Sequence, residues 1–197
     1  MEFLLLAVII FIALLFVFIN GFHDTANVVA TTIATRSLSP YQAITLAAVF
    51  NFIGAFFGTG VAATISQGLL DASMVTHLVL ISALLAAIIW NLITWLFGIP
   101  SSSSHALIGA LAGAGIATGG VHAVNYTTLV DKVILPMVLS PIIAFVLSLI
   151  IVLVVMHTLQ NNARPRKANN FIRELQVLST SLLSFSHGSN DAQKNMS

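Results

Sequence analysis

Apolar residues fill positions 3–19 almost without a break, and comparable runs recur near 41–60, 75–97, 103–119 and 133–157. A helix rises about 1.5 Å per residue, so about 20 such residues cross a hydrocarbon layer of about 30 Å. The pattern therefore predicts five spanning helices, the first continuing through 21–35 as a more polar helix. The run 103–119 is short and rich in Gly, Ala and Ser, and is either a crossing or a re-entrant helix that would flip the orientation of everything before it.

Two polar blocks interrupt this pattern. "FINGFHDTAN" at 18–27 places Asn20, His23, Asp24 and Asn27 at membrane depth. An Asp near a bilayer centre costs about 2.5–3.5 kcal/mol on insertion scales, so such a carboxylate points to function. "GIPSSSSHALIG" at 98–109 starts a helix: Pro100 keeps Ile99 out of helical geometry, and Ser101 to Ser104 can cap the turns after it. The first N–H groups of that helix and four hydroxyls form a place for an anion. An ordinary capped loop is the alternative, and it needs only one Ser.

The first block is echoed late in the chain. "FINGFHD" at 18–24 aligns with "FSHGSND" at 185–191, pairing Asn20 with His187, Gly21 with Gly188 and Asp24 with Asp191. Five spans, an odd number, precede the second copy, so it enters from the opposite side, as in the inverted repeats of secondary transporters. The parity fails if 103–119 is re-entrant and no other half-span compensates.

Composition and charge sharpen this picture. Hydrophobic residues make up 58%, charged residues 7%, and mean hydropathy is +1.02, against about 25% charged in soluble domains. Arg36, Arg164, Arg166, Lys167 and Arg173 fall on one predicted side and Lys132 on the other, which puts the basic segment 161–170 in the cytoplasm. Glu2 is the only charge before the polar block, with no basic start and no small-residue cleavage site, so the first helix reads as retained rather than as a signal peptide. No cysteine is present, which excludes thiolate metal sites and Cys nucleophiles. A net charge of +1 gives no sign of nucleic-acid binding.

Other features have plainer readings. Gly54 and Gly58, and Gly109 and Gly113 with Ala106, Ala110 and Ala114, are faces for close helix packing. His77, His122 and His157 stand alone near span ends, and Trp90 and Trp95 serve packing or the interface. Phe171, Leu175, Leu178, Leu182 and Phe185 mark an amphipathic helix, expected against protein, with a surface-lying helix as the alternative. Ser101 and His105, four apart, allow a membrane serine hydrolase as a rival class, without an evident orienting carboxylate.

Together "NGFHDTAN", "GIPSSSSH" and "SHGSNDAQK" resemble the signatures of the inorganic phosphate transporter (PiT) family, in the family's order and across the whole chain. The resemblance implies an all-α fold: a polytopic membrane protein, an inverted-repeat secondary transporter with discontinuous helices, and not an enzyme. It implies symport of inorganic phosphate with H⁺ or Na⁺, as phosphate or a metal-phosphate complex, with sulfate carried by some relatives. It implies multi-pass residence in the cell membrane, a homodimer, no cofactor beyond Na⁺ as a possible coupling ion, and no metal beyond that Na⁺ at Asp24, Asn27 and Asp191.

Carried over motif by motif, Ser102, Ser103, Ser104 and Asn190 bind substrate, joined by Lys194, and Asp24, Asn27 and Asp191 serve the coupling ion or proton, with Thr31 one turn on. Lys194 aligns with Asn27, and as a fixed positive charge it could stand in for one cation. Residues 1–160 would be the first repeat, 161–170 the basic loop and 171–197 the start of the second repeat. Family members continue through a second serine- or threonine-rich tip, so the expectation is of a chain truncated there.

Overall fold

The computed structural model describes residues 2–57, 68–70, 72–162 and 165–195. Its helices are α1 (Glu2–Ala34), α2 (Pro40–Gly54), α3 (His77–Leu96), α4 (Ser103–Gly119), α5 (Tyr126–Leu129), α6 (Leu135–Asn162) and α7 (Pro165–Asn195). A π-helical turn, Val130–Ile134, joins α5 to α6. No strand occurs among the described residues, so the all-α expectation holds. Among the described residues three stretches are long and apolar enough to cross a membrane: Glu2–Ala34, His77–Leu96 and Tyr126–Thr158.

Local sequence sets the ends. α1 closes at Arg36, in the left-handed region at φ 55°. Ser39 and Gln42 then form a capping box, with Pro40 opening α2. Gly98, at φ 64°, turns the chain out of α3. Ser102 caps α4 by accepting from the His105 N–H at 3.4 Å, so one serine of the four supplies the predicted cap.

Helix directions follow from the contacts. α1 and α3 run parallel: Ile12, Phe16 and Ile19 cluster with Ala87 and Ile88, and further along both helices His23 Nε2 lies 3.4 Å from Thr94 Oγ1. Leu107 joins that core, and α4 returns alongside α3. α3 and α4 are thus a hairpin that enters and leaves on the same side. Its tip reaches α1 at Asp24, about 15 Å short of the helix end at about 1.5 Å per residue. α3 is itself long and apolar enough to cross a membrane, and the hairpin it forms with α4 places its tip against α1.

α7 is antiparallel to α1. Thr32 hydrogen-bonds Thr180 at one level, and Asn20 reaches Asp191 at the other. Three expectations change here. Neither Gly21 nor Gly188 breaks its helix: α1 and α7 pass straight through, and the discontinuity lies at the hairpin tip. One Gly costs a helix only about 1 kcal/mol, less than leaving backbone groups unpaired in hydrocarbon. Within the segment 161–170 the described residues are helical: 161–162 end α6 and 165–170 open α7. α7 also buries most deeply a face away from the predicted apolar stripe: Thr180, Ser181 and Ser184 are inside, while of the stripe Phe171, Leu178 and Leu182 are exposed and Leu175 and Phe185 half-buried. Small residues let backbones approach and leave apolar side chains facing outward, the reverse of soluble packing.

The glycine pairs divide. Gly54 sits where a Cβ would run into the Phe185 carbonyl oxygen, so the α2–α7 crossing needs it. Gly58 lies outside the described residues. Gly109 and Gly113 have nothing within 4 Å of a Cβ and pack against no described element.

Candidate functional site

Asp24 sits on α1, half-buried, at the level of the hairpin tip. Ser103 Oγ donates to Asp24 Oδ2 at 2.7 Å, and Ser103 is buried. Ser103 is the first residue of α4, so the positive end of that helix dipole also lies near the carboxylate. His23 Nδ1 lies 3.3 Å from the other Asp24 oxygen, and its Nε2 meets Thr94 on α3. Thr94 in turn donates to Ser101 Oγ at 3.4 Å.

The second copy enters from α7. His187 Nε2 is 3.6 Å from Asp24 Oδ2, and its Nδ1 is 3.2 Å from Asp191 Oδ2. One imidazole therefore stands between the carboxylates of the two motif copies. Asn20 Nδ2 donates to Asp191 Oδ2 at 3.0 Å, and Asn51 Oδ1 on α2 lies 3.3 Å from His187 Nδ1. Two carboxylates, two imidazoles and several hydroxyls collect at one depth, which suits a cation, a proton or a protonated oxyanion.

The carried-over residues fall into three groups. Asp24, Asp191 and Ser103 are brought together, with Ser102 capping α4 and Ser104 half-buried beside them. Asn27, Thr31 and Asn190 are exposed, and their side chains make no hydrogen bond among the described residues. The Lys194 side chain lies outside the described residues. His187, Asn51 and Thr94 belong to the site and were not singled out as site residues from the sequence. The available signal was a lone polar residue inside an apolar span, and for His187 its alignment with Asn20. His77, His122 and His157 are exposed, and among the described residues no group of three His, Asp or Glu side chains is arranged to hold a metal ion.

A model of the phosphate transporter family matches residues 20–197. This chain belongs to the phosphate transporter family. Within it, the chain is 50% identical over its whole length to a probable low-affinity inorganic phosphate transporter of Bacillus subtilis, covering 60% of that protein. It is similarly 48% identical to one from Rhizobium meliloti, covering 58%, and 47% identical to one from Mycobacterium bovis, covering 47%. The chain thus spans about half to three-fifths of these relatives. A solved structure titled "The sodium-dependent phosphate transporter" superposes with a TM-score of 0.71 at 24% identity, covering 95% of this chain and 59% of that one. The family fold is thereby shared, and the transporter reading displaces the serine hydrolase. Ser101 supports that outcome locally: its hydroxyl accepts from Thr94, and the carboxylate at the tip is bonded by Ser103.

Proposed function

We propose that this protein carries inorganic phosphate into the cell by symport, with H⁺ or Na⁺ as the driving ion, from a multi-pass position in the cell membrane. Phosphate binds at the serine tip through hydroxyls and the free N–H groups opening α4. Asp24 and Asp191 hold the coupling cation or proton. The observation that carries this reading is the 2.7 Å bond from Ser103 to Asp24, because it joins the anion-binding tip to the coupling carboxylate. Phosphate occupying the tip competes for the Ser103 hydroxyl, so substrate and coupling ion sense each other through one hydrogen bond.

Phosphate is favoured over sulfate on chemistry. Both are tetrahedral, but phosphate keeps a proton that can be donated to a carboxylate such as Asp24. The test is uptake of labelled phosphate into proteoliposomes, with Na⁺ and pH gradients imposed separately and sulfate as competitor. Accumulation driven by one of the gradients, with weak competition by sulfate, is the expected result. Strong sulfate competition would make the protein a sulfate carrier, and uptake indifferent to both gradients would remove symport.

A further inference from the structure

Behind the site, the α1–α3 interface contains an unusual pair. His23 meets Thr94, and Asn20 and Asn91 each lie three residues earlier on these parallel helices, a register that sets the two amides at facing positions. Asn20 is 2% exposed and Asn91 is 0% exposed. Asn20 Nδ2 is committed to Asp191, which fixes the sense of that amide and leaves Oδ1 over. Three buried atoms then have no hydrogen-bond partner: Asn20 Oδ1, Asn91 Oδ1 and Asn91 Nδ2.

Buried amides are almost always satisfied, so three orphans in one place call for a missing component. A direct amide–amide bond would still leave Asn91 Oδ1 unpaired. A cation would suit the two oxygens and leave the Nδ2 donor facing it. Water alone supplies hydrogens for two acceptors and a lone pair for one donor, and a polar site with two to four partners is where buried water is held.

We propose that a buried water molecule lies between the Asn20 and Asn91 amides and ties the Asp191 carboxylate to the hairpin through Asn20. Asn91 is then a positioning residue: it acts on Asp191 through water and Asn20, so movement of the hairpin is transmitted to the second motif. The assignment of Asp191 to coupling rests on the proposed function; the water itself does not.

Two measurements test this. The first is a map of the intact protein in lipid at a resolution that shows ordered water, recorded in Na⁺ and in choline. A peak at hydrogen-bond distance from Asn20 Oδ1 and from the Asn91 amide, unchanged between the two salts, is expected. A dry interface, a direct amide contact, or a peak that needs Na⁺ would each overturn the proposal. The second compares Asn91→Leu, of similar size but apolar, with Asn91→Ser, which keeps a partner for water. Asn91→Leu should raise the half-saturation concentration for the driving ion on the order of tenfold, as for loss of a hydrogen bond to a charged group, with the phosphate value less changed, and Asn91→Ser should restore most of it. Equal behaviour of Leu and wild type would refute the positioning role. Should Asn91→Leu fail to fold, the map still decides the water, and failure of phosphate uptake altogether would refute the proposed function while leaving the water standing.

Discussion

On α1, Gly21 faces open space, with no atom within 4 Å of where a Cβ would sit, whereas on α7 its counterpart Gly188 is pressed onto α2, where a Cβ would run into the Asn51 carbonyl oxygen. The aspartates three residues on are held alike in one respect, each by a neutral side chain and by His187. The motif copies therefore share the carboxylate and its depth, while the glycine answers to whichever helix passes by. The same letter in two repeats can carry different roles, since Gly188 is a packing requirement and Gly21 is not one among the described contacts.

The largest effects should come from breaking that packing. Gly188→Ala and Gly54→Ala both drive a methyl into backbone, and overpacking of this kind costs about 1–3 kcal/mol or more. Thermal unfolding in detergent should show both variants strongly destabilised; unchanged melting would mean that α2 and α7 do not cross this closely. Asp24→Asn should come next. It keeps size but removes the charge that Ser103, His23 and His187 surround, and charged hydrogen bonds at about 1.5–3 kcal/mol imply a loss of uptake of roughly 10- to 100-fold or more. Membrane insertion should be retained, and wild-type uptake would take Asp24 out of the mechanism.

His187→Asn makes the second copy match the first at this position. It removes the ring between the carboxylates, so uptake should fall by about tenfold, as for one lost charged contact, with Asp191 still held by Asn20. Uptake at the wild-type rate would show that the bridge is incidental. Smallest of all, Gly21→Ala should raise stability by about 0.5–1 kcal/mol, the ordinary gain of Ala over Gly in a helix with room for it. A loss of stability would show that some element packs on Gly21 as α2 packs on Gly188.

Much of this was legible in the sequence. The apolar runs, the serine cap and the echo of the two motifs predicted helices in these regions, the start of α4 and the antiparallel entry of α7, although of the five expected spans only three stretches among the described residues are long and apolar enough to cross. The illegible parts have physical causes. Gly21 suggested a break because glycine often marks one, yet a single glycine is cheap beside unpaired backbone in hydrocarbon. The buried face of α7 was misjudged because soluble amphipathicity puts leucines inward, whereas here Thr180, Ser181 and Ser184 face the protein. Asn51, Asn91 and Thr94 were each one polar letter inside an apolar run, without a partner visible along the chain. Their meaning came only from the packing that set Asn51 against His187, Thr94 against His23 and Asn91 within the buried α1–α3 interface.

The central claim is that the two motif copies meet antiparallel and form one site. The protein has no native cysteine, so paired cysteines report on it cleanly. Thr32→Cys with Thr180→Cys, oxidised in membranes, should cross-link readily because these side chains touch between α1 and α7. Thr32→Cys with Asp191→Cys should not, since about 16 Å of helix separates 191 from 180 at about 1.5 Å per residue. Cross-linking of the second pair, or none of the first, would contradict the antiparallel arrangement and with it the shared site.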